Sequence, residues 1–81
     1  MPEFTYNYER LIVDVRGPIH VVSFNDADNL NAMSYQQMRD FNDYLKLVRM
    51  DQDCRVIVLT GEGKSFCAGF NLNELNYEPP A

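Results

Sequence analysis

Gly61-Glu62-Gly63-Lys64-Ser65-Phe66-Cys67-Ala68-Gly69-Phe70-Asn71-Leu72 follows directly on the apolar run Val56 to Leu59. A strand that breaks at glycines and leads into a short helix can turn backbone N–H groups toward a ligand. Gly63-Lys64-Ser65 resembles part of a phosphate loop, but that signature needs a glycine five residues before Gly63, where Val58 stands. Spacing therefore excludes a nucleoside-triphosphate loop. What remains is Phe66-Cys67-Ala68-Gly69-Phe70. Gly69 permits an unusual backbone turn, and the N–H of Phe70 falls at a helix start, where anionic oxygen is favoured. Such an arrangement would be half of an oxyanion hole.

Working outward, the segments before this stretch alternate in period. Glu9 to Val15 reads as a strand with Leu11, Val13 and Val15 on one face and Ile12 and Asp14 on the other. Arg16-Gly17-Pro18 ends it, and Ile19 to Phe24 is a second, β-branched and aromatic strand, so the simplest pairing is an antiparallel hairpin. The loop Asn25 to Met33 is rich in residues that hydrogen-bond their own backbone. Ser34 then reads as an N-cap for an amphipathic helix from Tyr35 to about Arg49, with Met38, Phe41, Leu45 and Val48 as its buried stripe and Gln37, Asp40, Asp43 and Lys46 outside it. Arg55 to Thr60 is the third strand, and its unbroken Val56-Ile57-Val58-Leu59 predicts burial on both faces. Two strands, a crossover helix and a strand make one α/β unit. Residues 76–81 lack apolar period, and they and residues 1–8 are expected to fray.

At 81 residues the chain is one small domain at most. Burial is worth about 125 kcal/mol by area scaling, against about 120 kcal/mol for ordering the chain. A marginal monomer that gains from a partner surface is expected. Net charge −5, with the acidic residues spread along the chain, disfavours nucleic acid, whose phosphates need clustered Lys and Arg. No apolar run approaches membrane-spanning length, and the first residues lack the basic and apolar regions of a signal peptide. Two cysteines, Cys54 and Cys67, without a framework pattern fit a reducing, cytoplasmic location.

The order of parts, with Asn31-Ala32 closing the loop and Phe66-Cys67-Ala68-Gly69 after the third strand, resembles the N-terminal portion of the crotonase superfamily, the enoyl-CoA hydratases and isomerases. The resemblance runs from Leu11 to Leu75. It implies an α/β fold, the incomplete ββαβ part of a spiral of repeated ββα units that binds an acyl-CoA thioester. It also implies backbone roles. Phe70 would supply one oxyanion N–H, Ala68 would accept the adenine amino group on its carbonyl, and the loop Asn29-Leu30-Asn31-Ala32 would form a wall of the CoA site. Gly69 and Asn71 complete the substrate-lining turn, and Lys64 is the nearby cation for CoA phosphates.

By the same resemblance, the second oxyanion donor and the acid and base carboxylates belong to later repeats, so the chain alone is expected not to turn over substrate. CoA enters as substrate, with no cofactor and no metal. Partners are an acyl-CoA and either a second copy or a complementing C-terminal half. Asp26-Ala27 stands where the family often has Arg-Pro, Asn29 where a basic residue is common and Asn73 where Lys is frequent, so weaker CoA binding is expected; Asn71 also replaces a frequent Asp. The alternative class is a non-catalytic interaction or scaffold segment that docks on another chain.

Several residues have plain structural readings beside these. Gly61 and Gly63 read first as turn positions that need positive φ. Lys64 reads as a solvated turn residue, Cys67 as a small buried thiol without a neighbouring base, and Glu74 as a carboxylate placed by the helix dipole. His20 lacks a second ligand at metal-binding spacing.

Overall fold

The computed structural model of the chain describes residues 4–69. Strand β1 (Leu11–Arg16) and strand β2 (Ile19–Phe24) form the expected antiparallel hairpin, in register from Leu11 opposite Phe24 to Arg16 opposite Ile19. Gly17 and Pro18 connect them. Gly17 has φ +57° and Pro18 cannot take positive φ, which is the II′ pattern suited to a two-residue hairpin.

Helix α1 (Tyr35–Val48) crosses back over the sheet, and strand β3 (Val56–Gly61) pairs parallel to β2, from Ile19 beside Val56 to Phe24 beside Gly61. The sheet order is β1-β2-β3. Ser34 is the N-cap expected of it: its hydroxyl accepts from the Gln37 N–H at 3.1 Å. Among the described residues no helix is long and apolar enough to cross a membrane.

The core lies between α1 and the hairpin. Leu11, Val22, Phe24, Tyr44 and Val48 are buried, with Tyr6, Tyr8, Val13, Met33 and Phe41 packed against them. Alternation in β1 and β2 puts Leu11, Val22 and Phe24 on the helix side. Two expectations fail here. The buried face of α1 is Gln37, Asp40, Tyr44 and Val48, whereas Met38 and Leu45 stand exposed. Val48 and Phe41 face the core as expected, but the buried stripe is rotated by about 75° from the apolar one, at 3.6 residues per turn. Polar bonds explain the rotation: Asp40 accepts from the Arg10 N–H at 2.8 Å and from Gln36 Nε2 at 2.8 Å, and Gln37 Nε2 donates to the Asn31 carbonyl at 3.0 Å. Tyr44 then fills the centre.

The second failure is β3, expected to be buried on both faces. Val56, Ile57, Val58 and Leu59 are 38–49% exposed. The helix covers the hairpin, and no described strand pairs with the outer edge of β3. An unbroken apolar run implies two covering layers, and the described residues supply only part of one.

The fraying expected for residues 1–8 is not found at Tyr6 and Tyr8, which pack against the core, and a polar cluster ties this segment down. His20, buried in β2, is 2.9 Å from the Tyr44 hydroxyl through Nδ1 and 3.8 Å from Asp51 through Nε2. The Tyr6 hydroxyl donates to Asp51 at 2.6 Å, and the Tyr6 ring meets both His20 and Tyr44 edge-on. Burial, then the Asp51 carboxylate, raises the Tyr6 phenol above the usual tyrosine range; burial does the same for Tyr44. The Tyr6 hydrogen bond in turn holds the Asp51 carboxyl below the usual aspartate range.

The signs are opposite at the two pH limits. A raised phenol contributes stability below its unfolded value of about 10 and loses it as pH rises; a lowered carboxyl contributes above about 3.9 and loses it as pH falls. Urea midpoints should therefore drop on both sides of that window. Tyr6→Phe should flatten the acid limb and leave Tyr44 and Tyr8, whose phenols are also raised by burial, to drive the alkaline one. An acid limb of unchanged slope in Tyr6→Phe would show that this hydrogen bond does not set it.

Candidate functional site

The site is built from two loops that meet beyond the C-terminal ends of β2 and β3. The ladder continues one step past the strands, with the Glu62 N–H donating to the Phe24 carbonyl at 2.9 Å. From there the chain turns through Gly63, which has φ +78°. Gly61 is different from its expected role. It has no positive φ, and what requires glycine is close approach: a Cβ there would lie 2.5 Å from the Phe66 carbonyl oxygen, 2.6 Å from that of Ser65 and 2.8 Å from Asn31 Nδ2. The turn folds back over the end of its own strand.

The facing loop starts with a 3₁₀ turn at Ala27–Asn29 and passes through two consecutive left-handed residues, Leu30 (φ +54°) and Asn31 (φ +55°). Asn31 is fully buried. Its Nδ2 donates to the carbonyls of Glu62 at 2.8 Å and Ser65 at 2.6 Å, and its Oδ1 accepts from the Asp26 N–H at 2.8 Å. One side chain thus ties the two loops together.

Asp26, which stands where the resembled family often carries Arg, is 6% exposed, and its carboxylate accepts from Arg10 at 3.3 Å and from the Asn29 amide at 3.0 Å. That carboxylate is an internal acceptor that shapes the loop.

Beyond Asn31 the loops are joined by two backbone hydrogen bonds. The Ala68 N–H donates to the Leu30 carbonyl at 3.1 Å, and the Met33 N–H donates to the Gly69 carbonyl. Leu30, Ala68 and Gly69, far apart in sequence, thereby form one exposed shelf. Gly69 has φ +99° with open space around it, which matches the turn expected there.

The other candidates fall around the shelf. Asn29 is exposed at its edge, and Ala32 is buried beneath it. Lys64 is exposed in the turn after Gly63. Phe66 lies against Phe24, ring centroids 5.4 Å apart, and is half-exposed. Cys67, expected as a small buried thiol, is half-buried against the core and forms no disulfide. Phe70, Asn71, Asn73, Glu74 and the short helix expected to start near Phe70 lie outside the described residues. Among the described residues no cluster of His, Cys, Asp or Glu could hold a metal ion.

Two residues of structural weight escaped the sequence reading. Asn31 marked the family resemblance without a role of its own. The signal available was its residue type: Asn tolerates the left-handed region and carries both a donor and an acceptor. The polarity of Gln37 predicts a solvent-facing position, yet it is fully buried and holds the Asn31 carbonyl. Its periodicity with Tyr44 and Val48 was the missed clue.

A family model for enoyl-CoA hydratase/isomerase matches residues 14–81. The chain is 31% identical over 71 residues to 1,2-epoxyphenylacetyl-CoA isomerase of Escherichia coli K12, covering 88% of this chain and 27% of that protein. It is 36% identical over 69 residues to the enoyl-CoA hydratase EchA19 of Mycobacterium tuberculosis, covering 85% and 26%. Among solved structures, an enoyl-CoA hydratase from Mycobacterium tuberculosis H37Rv superposes with a TM-score of 0.78 at 31% identity, over 83% of this chain and 30% of that one. One from Geobacillus kaustophilus HTA426 gives 0.82 at 27% identity, over 90% and 28%. The chain spans about a quarter of the length of these relatives (27% and 26%). The ββαβ order, the loop-to-turn shelf and these matches agree: the chain belongs to the enoyl-CoA hydratase/isomerase family and carries the N-terminal, incomplete part of its crotonase fold.

Proposed function

We propose that this segment forms one wall of an acyl-CoA site and supplies one of two backbone oxyanion donors, in a protein that hydrates or isomerises an enoyl-CoA thioester. The observation that carries this reading is the shelf: two backbone bonds bring Leu30 beside Ala68 and Gly69 and leave all three open to a ligand.

In the proposed arrangement the Ala68 carbonyl takes the adenine amino group, Asn29 to Ala32 line the CoA, and Lys64 stands toward its phosphates. Phe70 and Asn71, next along the chain, complete the thioester end, with the Phe70 N–H as the donor. Negative charge develops on the thioester oxygen as an enolate forms, and a preorganised N–H stabilises it there. Loss of one such donor typically costs about 2.7–4 kcal/mol. The acid and base would come from the remainder of the fold. The free cysteines Cys54 and Cys67 support a cytoplasmic setting.

Thermal denaturation with CoA, acetyl-CoA or buffer tests the binding claim on the chain itself. At a hundredfold excess over Kd, ligand should add about 2.7 kcal/mol to stability. An unmoved transition of a folded sample at millimolar CoA would sink the acyl-CoA reading. Hydratase turnover by the 81-residue chain, expected to be nil, would instead overturn the assignment of the acid and base to later residues. A second reading, an interaction segment that docks on another chain, draws support from the half-exposed row Val56 to Leu59. The same titration separates the two, since docking alone predicts no response to CoA.

A further inference from the structure

We propose that Asn31 is a positioning residue of the acyl-CoA site, holding the turn that ends in Ala68 and Gly69 in its ligand-ready form. The ligand in this statement rests on the acyl-CoA reading above; the mechanical part does not. Every polar group of Asn31 is engaged. Its N–H donates to the Asp26 carbonyl at 2.8 Å and its carbonyl accepts from Gln37 Nε2 at 3.0 Å. Its side chain spans Asp26 on one loop and both Glu62 and Ser65 on the other.

Residue chemistry leaves few substitutes. The position has φ +55°, which Asn tolerates better than other side-chain-bearing residues. Two carbonyl acceptors and one N–H donor must be met by a single short group, which is the inventory of an Asn amide. Asp would set a carboxylate against the Glu62 and Ser65 carbonyls, and Gly would take the Asn31 side chain from the buried Asp26 N–H and from the part-buried Glu62 and Ser65 carbonyls.

The location of the partners makes this more than core stability. Apart from Gln37, every residue that Asn31 bonds to lies in the two loops, and none belongs to the buried cluster Leu11, Val22, Phe24, Tyr44 and Val48. The two backbone bonds of the shelf flank Asn31 in sequence, one through Leu30 and one through Met33. Without the clamp, the Glu62 to Ser65 turn is released from the loop, and the bonds at Ala68 and Gly69 are left to hold the shelf alone.

Amide hydrogen exchange followed by NMR, on the wild-type chain and Asn31→Gly, tests this. The variant should keep the β1 and β2 amides protected, and the Ala68 and Met33 amides should exchange faster by about tenfold or more, with CoA binding weakened by about the same factor. Unchanged protection at Ala68 and Met33 overturns the positioning role whatever CoA does. Faster exchange with unchanged CoA affinity shows a merely structural clamp and overturns the link to the site. If wild type does not bind CoA yet the variant loosens Ala68, the acyl-CoA reading fails and the positioning of the turn stands. Should Asn31→Gly lose the hairpin, the wild-type side chain decides: its amide protons must exchange as slowly as the Ala68 N–H, and fast exchange there overturns the clamp.

Discussion

Gly61→Ala is expected to destabilise the fold by about 3–5 kcal/mol, the sum of overpacking and of buried hydrogen bonds lost nearby. The new Cβ would fall within 2.8 Å of three atoms, and two of them are backbone oxygens that cannot rotate away. Relief requires moving the Ser65-Phe66 backbone off the end of β3, which takes the Ser65 carbonyl from Asn31 Nδ2. Typical domains hold only about 5–15 kcal/mol in total, so a chain this small should be largely unfolded at 37 °C. Gly69→Ala is the control, because its Cβ meets nothing within 4 Å and only the φ of +99° is strained. Urea denaturation of the two variants should rank Gly61→Ala far below Gly69→Ala. Equal midpoints would mean that the turn does not fold back onto β3.

The second large effect is expected at Tyr44, fully buried at the centre of the aromatic cluster. Its ring centroid lies 5.3 Å from that of Tyr6, 6.1 Å from His20 and 6.4 Å from Tyr8. Tyr44→Ala empties that space and should cost about 3–5 kcal/mol, as other buried aromatic truncations do. Tyr44→Phe keeps the packing and leaves His20 Nδ1 without its hydroxyl partner, a cost of about 1–3 kcal/mol for an unsatisfied buried group. Chemical denaturation of both variants checks the split. A phenylalanine variant as unstable as the alanine one would place the energy in the hydrogen bond rather than the ring.

The sequence was most legible where local chemistry decides the conformation. Gly17-Pro18 admits one kind of hairpin turn, and Ser34 ahead of a periodic segment caps a helix; both stand as expected. It was least legible where a residue's environment comes from distant parts of the chain. Met38 and Leu45 read as core by apolarity, but Asp40 and Gln37 won the inner face through bonds to Arg10 and Asn31 that no helical window contains. Val56 to Leu59 read as buried because composition reports what a strand can bury, not which layers are present to cover it.

The site followed the same division. Gly69 was recognised from its place before Phe70, a local inference. Asn31 and Gly61 needed the contact between two loops about thirty residues apart in sequence.

The parallel pairing of β2 with β3 also sets an order of events during folding. The β1–β2 turn closes over Gly17 and Pro18, whereas β3 reaches β2 only after residues 25–55 have been gathered in. Loop-closure entropy rises with the length of chain to be gathered, so the longer closure is the costlier. Hairpins form in about 1–10 µs, and α1 can grow independently of β3, which leaves β3 to dock last. Its docking is also what brings Glu62 and Ser65 to Asn31, so the loop clasp is a late event that locks a hairpin and helix already in place. Until then a β-branched strand travels uncovered, and a newly synthesised chain is most prone to aggregate in that interval.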